Sequence, residues 1–359
     1  MTDIQASSRD SLMNTLAKSI RRFGMTRLII FGFFILLMVV AGFTNLNVTS
    51  LMSNVLLRAG YNSILVLAML PGIQCGIGLN MGMTLGIIGG LLSTVICLQF
   101  NMAGWGALFF ASAVGAVFGM IIGYLYGLLL NRLKGQEMTV STYLGFSFVA
   151  LMCVFWMALP FDNPRLTWPL GPGLRTMHNM DSSFGKLLNN FLSFKVFGVV
   201  FPTGLYLFLG LCCYLLWLFL RTKTGVAMSA AGSNPRFAEA TGININKMRI
   251  IGTILSTVIA ALGIIIYSQG FGFMQLYNAP KQMGFIAASS ILIGGASVSR
   301  AKISHVVLGS ILFNGVLAVG MPVANALVTE GNISDVLRVL LSNGIILYAL
   351  TKSGGDTRE

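Results

Sequence analysis

The chain has 359 residues, 55% of them hydrophobic and 9% charged, with a mean hydropathy of +0.83 and a formal charge of +13. A soluble domain carries about a quarter of its residues charged, so a soluble globular protein is excluded. A transmembrane barrel is excluded as well, because its strands alternate apolar and polar residues instead of running solidly apolar. Span-free stretches of about 30 to 40 residues leave no room for a soluble catalytic domain.

The positive charge does not read as nucleic-acid binding. The 23 Lys and Arg stand at the ends of apolar runs without a basic-aromatic cluster. Cys75, Cys97, Cys153, Cys212 and Cys213 all fall in apolar runs without metal spacing, and read as small buried hydrophobes.

Residues 1–27 precede the first apolar run. Leu12, Leu16, Ile20 and Phe23 recur there at helical spacing among Lys18, Arg21 and Arg22, which predicts an amphipathic helix on the inner membrane surface. No clean small-x-small site follows Ala41, so the first run reads as an uncleaved span and not as a signal peptide. Apolar runs long enough to cross a bilayer lie at 28–44, 60–79, 82–100, 105–130, 139–160, 198–220, 250–268, 284–298, 303–322 and 333–350. The predicted fold is therefore all-α: a polytopic membrane protein with about ten transmembrane helices in 28–350 and a tail at 351–359.

With the N-terminus inside, sixteen of the 23 Lys and Arg fall on the inner side. They cluster before the first span, at Arg132 and Lys134, within 221–249, at Arg300 and Lys302, and in the tail. The positive-inside rule then predicts both termini in the cytoplasm. The same topology makes 161–197 an external loop and 221–249 a cytoplasmic one. Trp105 and Trp156 are expected near outer span ends, and Trp217 near an inner one, as interfacial aromatics.

Glycine is arranged along faces. Gly78, Gly82, Gly86 and Gly90 recur every four residues, as do Gly115, Gly119, Gly123 and Gly127. Each ladder lets another backbone approach closely, which serves either tight packing or helices that slide during transport. Pro71, Gly72, Gly76 and Gly78 weaken helical hydrogen bonding around the end of the second span. Unwound backbone at that depth is tolerated only when buried or facing a water-filled cavity. It reads equally as part of a solute pathway or as a kinked turn at the inner surface.

Only ten Asp and Glu exist, and none lies in the middle of an expected span; Asp335 and Arg338 fall in the first turns of the last one. Ion-coupled carriers place an ionisable group inside the membrane. Here the spans offer neutral polar residues instead, among them Gln99, Ser256, Thr257 and Ser290. The expected translocation path comprises Gln74, Asn80, Gln269, Ser289 and Asn314, suited to a neutral polar solute with an energy source elsewhere. His178 and His305 are lone histidines, and no nucleophile-base pairing stands out. No G-x-x-x-x-G-K-[ST] motif occurs, since Gly185-Lys186 lacks the rest of it. The chain is therefore not expected to be an enzyme. A secondary carrier remains an alternative because it shares broken helices and Gly-rich faces. A membrane-embedded enzyme would need catalytic His, Asp or Glu converging at one depth.

Within 221–249, Asn234 followed by Pro235 forms a helix start, Asn as N-cap and Pro in the first turn. Arg236, Phe237, Ala238, Glu239, Ala240 and Thr241 continue the helix, and Gly242 suits a left-handed stop. A short helix outside the membrane, between two basic ends, fits either insertion into a groove on a partner or a solvated loop.

The stretch Gly225–Gly242, G-V-A-M-S-A-A-G-S-N-P-R-F-A-E-A-T-G, resembles the coupling-helix loop of membrane-spanning permease subunits of bacterial ABC importers. Its nearest likeness is the ribose, galactose and simple-sugar branch, with its G-x-N-P-x-A-A-x-x-x-G-I-type segment. Ile293-Gly294-Gly295-Ala296-Ser297 looks like that branch's I-G-G-x-S stretch, and the likeness extends over roughly 28–350. The resemblance implies an ATPase-coupling helix made by Gly232, Asn234, Pro235, Arg236, Ala238, Glu239, Ala240 and Gly242. It implies partners too: ATPase subunits carrying ATP and Mg, a second identical or paralogous permease, and a periplasmic or lipid-anchored solute-binding protein. The chain itself then binds no cofactor and no nucleic acid, and sits among lipids of the bacterial inner membrane. Asn80 stands where sugar-type relatives usually carry Asp in a T-G-G-I-D-L-S-like segment, which loosens the sugar assignment. Nucleoside-importing permeases have a similar coupling loop, and Gln136–Thr142 resembles the start of their next span. A sugar is the first expectation and a nucleoside the alternative.

Overall fold

The computed structural model describes residues 25–161, 163–168, 173–327 and 343–344. The expected surface helix at 11–23, the tail, and all of the expected tenth span except 343–344 (hence Asp335 and Arg338) lie outside the described residues.

Helices fill most of the apolar runs among the described residues, but 75–79, 198–202 and 294–298 of the expected spans are not helical. α1 (Met25–Phe43), α2 (Val48–Leu67) and the short α3 (Met69–Gln74) lead to α4 (Met83–Gln99), α5 (Gly104–Arg132) and α6 (Glu137–Ala158). A mixed segment follows α6, with β1 (Met177–Asn179), α7 (Leu187–Asn190), β2 (Phe194–Val196) and β3 (Val199–Phe201). Then come α8 (Thr203–Leu220), α9 (Lys223–Ser233), α10 (Pro235–Ala240), α11 (Ile245–Phe271), β4 (Phe273–Gln275), α12 (Ala279–Ile293) and α13 (Ile303–Leu327). Among the described residues six helices are long and apolar enough to cross a membrane: Val48–Gln74, α5, α6, α8, α11 and α13. α1 and α4 are shorter apolar helices.

The second span differs from expectation at both ends. It starts at Val48, well before residue 60, because Asn47 caps it: its side chain accepts from the Ser50 amide at 3.1 Å. Ser50, Ser53, Asn54 and Arg58 disguise the first three turns as a polar linker. Pro71 does not interrupt the helix. It lies in the first turn of α3, where its missing N–H needs no partner. Unwinding begins after Gln74, where Gly76 (φ +82°) and Gly78 (φ +85°) take left-handed backbone that only glycine adopts freely.

α11 is the central helix, packed against α5, α4 and α2. Asn244 caps its start by accepting from the Lys247 amide at 3.0 Å, and Gly272 (φ +83°) stops it. Both glycine ladders close on it. A side chain at Gly86 or Gly90 would collide with the backbone of Thr257 or Ala261, and one at Gly119 would lie 3.0 Å from the Val258 Cα. Thr253 and Thr257 complete the contact by donating to the Gly123 and Gly119 carbonyls at 3.2 and 2.8 Å. α6 and α8 lie at the periphery, their long apolar faces exposed at Tyr143, Leu151, Val154 and Phe155, and at Leu207, Leu211, Leu215 and Leu218.

Trp156 departs from the interfacial role expected of it. It is buried, and its carbonyl accepts from the Leu174 amide at 3.1 Å, so it anchors the segment after α6. Trp105 and Trp217 remain exposed, the latter under the Arg221 guanidinium at 3.9 Å.

The segment after α6 is folded onto the helix ends through an antiparallel pairing of β1 with β4, His178 opposite Met274. The His178 imidazole is buried, with Nδ1 3.4 Å from the Arg165 carbonyl and Nε2 without a partner. Burial pushes its pKa below the ordinary 6.5, and the Arg175 charge adds to that. The folded state thus binds the proton more weakly than the unfolded one. Its stabilisation is complete above pH ~6.5 and is lost as pH falls below that value. The protection factors of the β1–β4 amides, with the observed exchange rate referred to the intrinsic rate at each pH, should fall on acidification to about pH 5.5, and His178→Phe should remove that pH dependence. Protection factors that are equal at both pH values in the native chain would contradict this.

Candidate functional site: the coupling segment and its contacts

The cytoplasmic loop expected at 221–249 contains two helices and the first turn of a third. Thr222 caps α9 by accepting from the Gly225 amide at 3.2 Å. Asn234 then serves two helices at once. Its amide donates to the Ala230 carbonyl at 3.0 Å, closing α9, while its side chain accepts from the Phe237 amide at 3.1 Å, opening α10. Pro235 occupies the first turn of α10. The helix ends in a Schellman arrangement: Gly242 (φ +79°) donates to Glu239 at 3.0 Å and Ile243 to Ala238 at 2.9 Å.

Only Ala238 of α10 is buried, in a cluster with Tyr126, Leu130, Met228 and Met248. Arg236, Phe237, Glu239 and Ala240 face outward, and Phe237 keeps 61% of its surface exposed. The result is a rigidly capped two-turn projection, held by one alanine, that offers an aromatic ring flanked by one charge of each sign.

Gly232 ties this projection to the membrane helices. A side chain there would collide with the Gln74 carbonyl and lie 2.7 Å from the Gly76 amide. The unwound segment after α3 is therefore in direct backbone contact with α9. From the other side, Gln74 Nε2 donates to the Ala301 carbonyl at 3.4 Å, and a side chain at Gly78 would lie 3.1 Å from Val298. Gln74–Gly78 thus lies between α9 and the turn that follows α12.

Asn80 is fully buried and fully paired. It donates to Ser256 Oγ at 2.9 Å and accepts from the Tyr126 hydroxyl at 2.6 Å, while Ser256 donates to the Ala68 carbonyl at 2.7 Å. This network ties α2, α5 and α11 together. Of the other expected path residues, Gln269 secures the segment between α6 and α8, accepting from the Leu188 amide at 3.1 Å and donating to Asn189 at 3.3 Å. Ser289 is buried with its hydroxyl unpartnered.

Asn314 lines a cleft. The cleft measures about 140 Å³ between α2, α11, α12 and α13, and its wall includes Arg58, Tyr61, Asn62, Tyr267 and Gln282. Asn62 donates to Asn314 Oδ1 at 2.7 Å, and Tyr61 meets Tyr267 edge-on at 5.0 Å. Amides beside aromatic rings suit a neutral polar ring compound. Sequence reasoning missed Arg58 as a wall residue because the true start of α2 was hidden, and Tyr61 and Asn62, which lie inside the expected second span, because nothing local shows that they face Asn314. It also missed the buried ion pair of Arg249 with Glu137, which joins the starts of α11 and α6. Among the described residues no group of three or more His, Cys, Asp or Glu is placed to hold a metal ion.

These features define a multi-pass helical membrane protein. A family model described as branched-chain amino acid transport system / permease component matches residues 20–350, and the chain belongs to that family. It is similar to two nucleoside ABC transporter permease proteins of Lactococcus lactis subsp. cremoris (strain MG1363). One is 23% identical over 66% of this chain and 62% of the relative. The other is 25% identical over 61% of this chain and 65% of the relative. It is also similar to a fructose import permease protein of Rhizobium meliloti, 25% identical over 64% of this chain and 60% of that protein. The chain thus spans somewhat less than two thirds of the length of the curated relatives it matches. No solved structure matches it. It is a multi-pass protein of the bacterial plasma (inner) membrane.

Proposed function

We propose that this chain is the permease subunit of a binding-protein-dependent ABC importer and forms the path for a small neutral polar solute. The observation that carries the reading is α10, capped at both ends, exposing Phe237, Arg236 and Glu239, and joined through Gly232 to the break after α3. A projection of this kind docks in a groove on a separate ATPase subunit, which holds the ATP and Mg. Closure of the ATPases then moves the Gln74–Gly78 segment, and the bundle passes between inward- and outward-facing states. In this reading the chain crosses the membrane ten times with both termini cytoplasmic, pairs with a second permease, and receives solute from a binding protein outside. The described acidic residues Glu137, Asp181 and Glu239 all lie at helix ends or outside the helices, which favours external ATP over an ion gradient as the energy source.

A sugar is the first candidate solute. A nucleoside is the second reading, supported by the two nucleoside permeases among the relatives; it carries a sugar and a planar base, and the Tyr61–Tyr267 pair beside Asn62 and Asn314 accommodates both chemistries. Glu239→Lys, which reverses a charge on the docking face, and Gly242→Pro, which forbids the left-handed stop, should each reduce solute-stimulated ATP hydrolysis of the reconstituted complex to its unstimulated rate. Unchanged stimulation in both variants would remove the docking role from α10.

A further inference from the structure

The β2–β3 hairpin ahead of α8 has a feature that transport does not use. Its strands pair Phe194 with Phe201, Lys195 with Val200 and Val196 with Val199. Phe197 and Gly198 form the turn with φ of +49° and +82°, the pattern of a type I′ turn, in which Asn-Gly is the favoured pair. A bulky aromatic at the first position is disfavoured by its own backbone. Phe197 nevertheless stands there 97% exposed, beside exposed Leu192, Phe194 and Val196. In water this would be a costly apolar tip.

The depth of the hairpin follows from α8. The Trp217–Arg221 pair marks one membrane interface, as aromatic and basic residues do. From there α8 has 18 residues, about 27 Å at 1.5 Å per residue, against a hydrocarbon core of ~30 Å. Thr203 therefore lies at the opposite edge of the core, and the hairpin joined to it lies in the interfacial layer. An aromatic ladder continues from one into the other: Phe194 to Phe201 at 5.4 Å, then Phe201 stacked on Tyr206 at 4.9 Å. Tyr206 donates to the Leu56 carbonyl at 2.9 Å, and Ser53 accepts from the Val200 amide at 2.9 Å. The hairpin is thus fixed to α2, and its apolar residues extend the exposed face of Leu207, Leu211 and Leu215. Lys195, on the opposite strand face, is placed to reach phosphate headgroups.

We infer that the β2–β3 hairpin is a lipid anchor, with Phe197 seated in the acyl–headgroup boundary of the leaflet opposite Arg221, which is the external leaflet in the proposed topology. It holds the outer ends of α2 and α8 against the bilayer while other helices move.

The test places p-benzoylphenylalanine at position 197, and at position 211 as a reference on α8, in the full chain in its own membranes. After irradiation, mass spectrometry of the labelled peptides should find phospholipid adducts at both positions. An adduct of position 197 with the solute-binding protein or another permease copy would overturn the anchor in favour of a protein-docking hairpin. Absence of any adduct at 197, with lipid adducts at 211, would overturn it in favour of a water-exposed tip. Both results are independent of whether α10 couples to an ATPase.

Discussion

Gly232→Val is expected to abolish solute-stimulated ATP hydrolysis while leaving membrane insertion intact. The contact it disturbs is backbone on backbone: a Cβ at Gly232 would collide with the Gln74 carbonyl and approach the Gly76 amide to 2.7 Å. Neither neighbour has a flexible side-chain end to give way, and Gly76 cannot readily relax because its left-handed φ of +82° already demands glycine. Valine must push α9 away from the break after α3, and overpacking of this kind costs about 1–3 kcal/mol. Displacement of this backbone contact between α9 and the break after α3 should lower stimulation at least tenfold, equivalent to ~1.4 kcal/mol of lost coupling. Basal hydrolysis, set by the ATPase subunits, should persist. Native stimulation in the Gly232→Val complex would mean that motion reaches the bundle by another route.

The second large effect is on folding. Gly123 faces α11 so closely that a side chain there would collide with Thr257 and lie 2.9 Å from the Ile254 Cα. Gly123→Leu should separate α5 from α11 and break the Thr253 and Thr257 hydrogen bonds to α5. Interhelical bonds in membranes average ~0.6 kcal/mol each, so the steric penalty and the lost glycine–backbone packing dominate. The apparent Tm in mild detergent should fall by on the order of 5–10 °C. Gly210→Leu is the matched control, because a side chain at Gly210 meets nothing within 4 Å. Equal Tm values for the two variants would contradict the central place of α11.

Much of this architecture is legible in residues that act locally. The caps of α10 could be read directly, since Asn-Pro and the later Gly242 carry their geometry in their own chemistry. The glycine ladders announced close approach, but not the partner: that α11 is the helix both ladders hold depends on tertiary packing. The start of α2 was hidden because Ser50, Ser53, Asn54 and Arg58 read as loop, whereas the Asn47 cap and the burial of Leu51, Val55 and Ala59 between them make the stretch helical. That error concealed Arg58 as part of the cleft wall, while the meeting of Tyr61 and Asn62 with Asn314 depends on tertiary packing.

Asn80 and Gln269 show the opposite difficulty. A polar side chain in an apolar run marks a buried hydrogen bond equally well whether its partner is solute or protein, and here each is occupied by protein atoms. Pairings distant in sequence, such as Glu137 with Arg249 or β1 with β4, have no local signature at all. Trp156 does lie near a span end, but its burial has no local signature either, because it depends on where the segment after α6 returns.

The central claim is that α10 docks on a separate ATPase. Its most direct test is to purify the tagged chain from its native membrane in mild detergent and to identify the accompanying polypeptides by mass spectrometry. An ATPase subunit carrying a G-x-x-x-x-G-K-[ST] motif, recovered with the native chain and lost from the Glu239→Lys variant, is the predicted result. A chain that comes away alone under every mild condition, or retains the ATPase equally well with Glu239→Lys and Gly242→Pro, would contradict it.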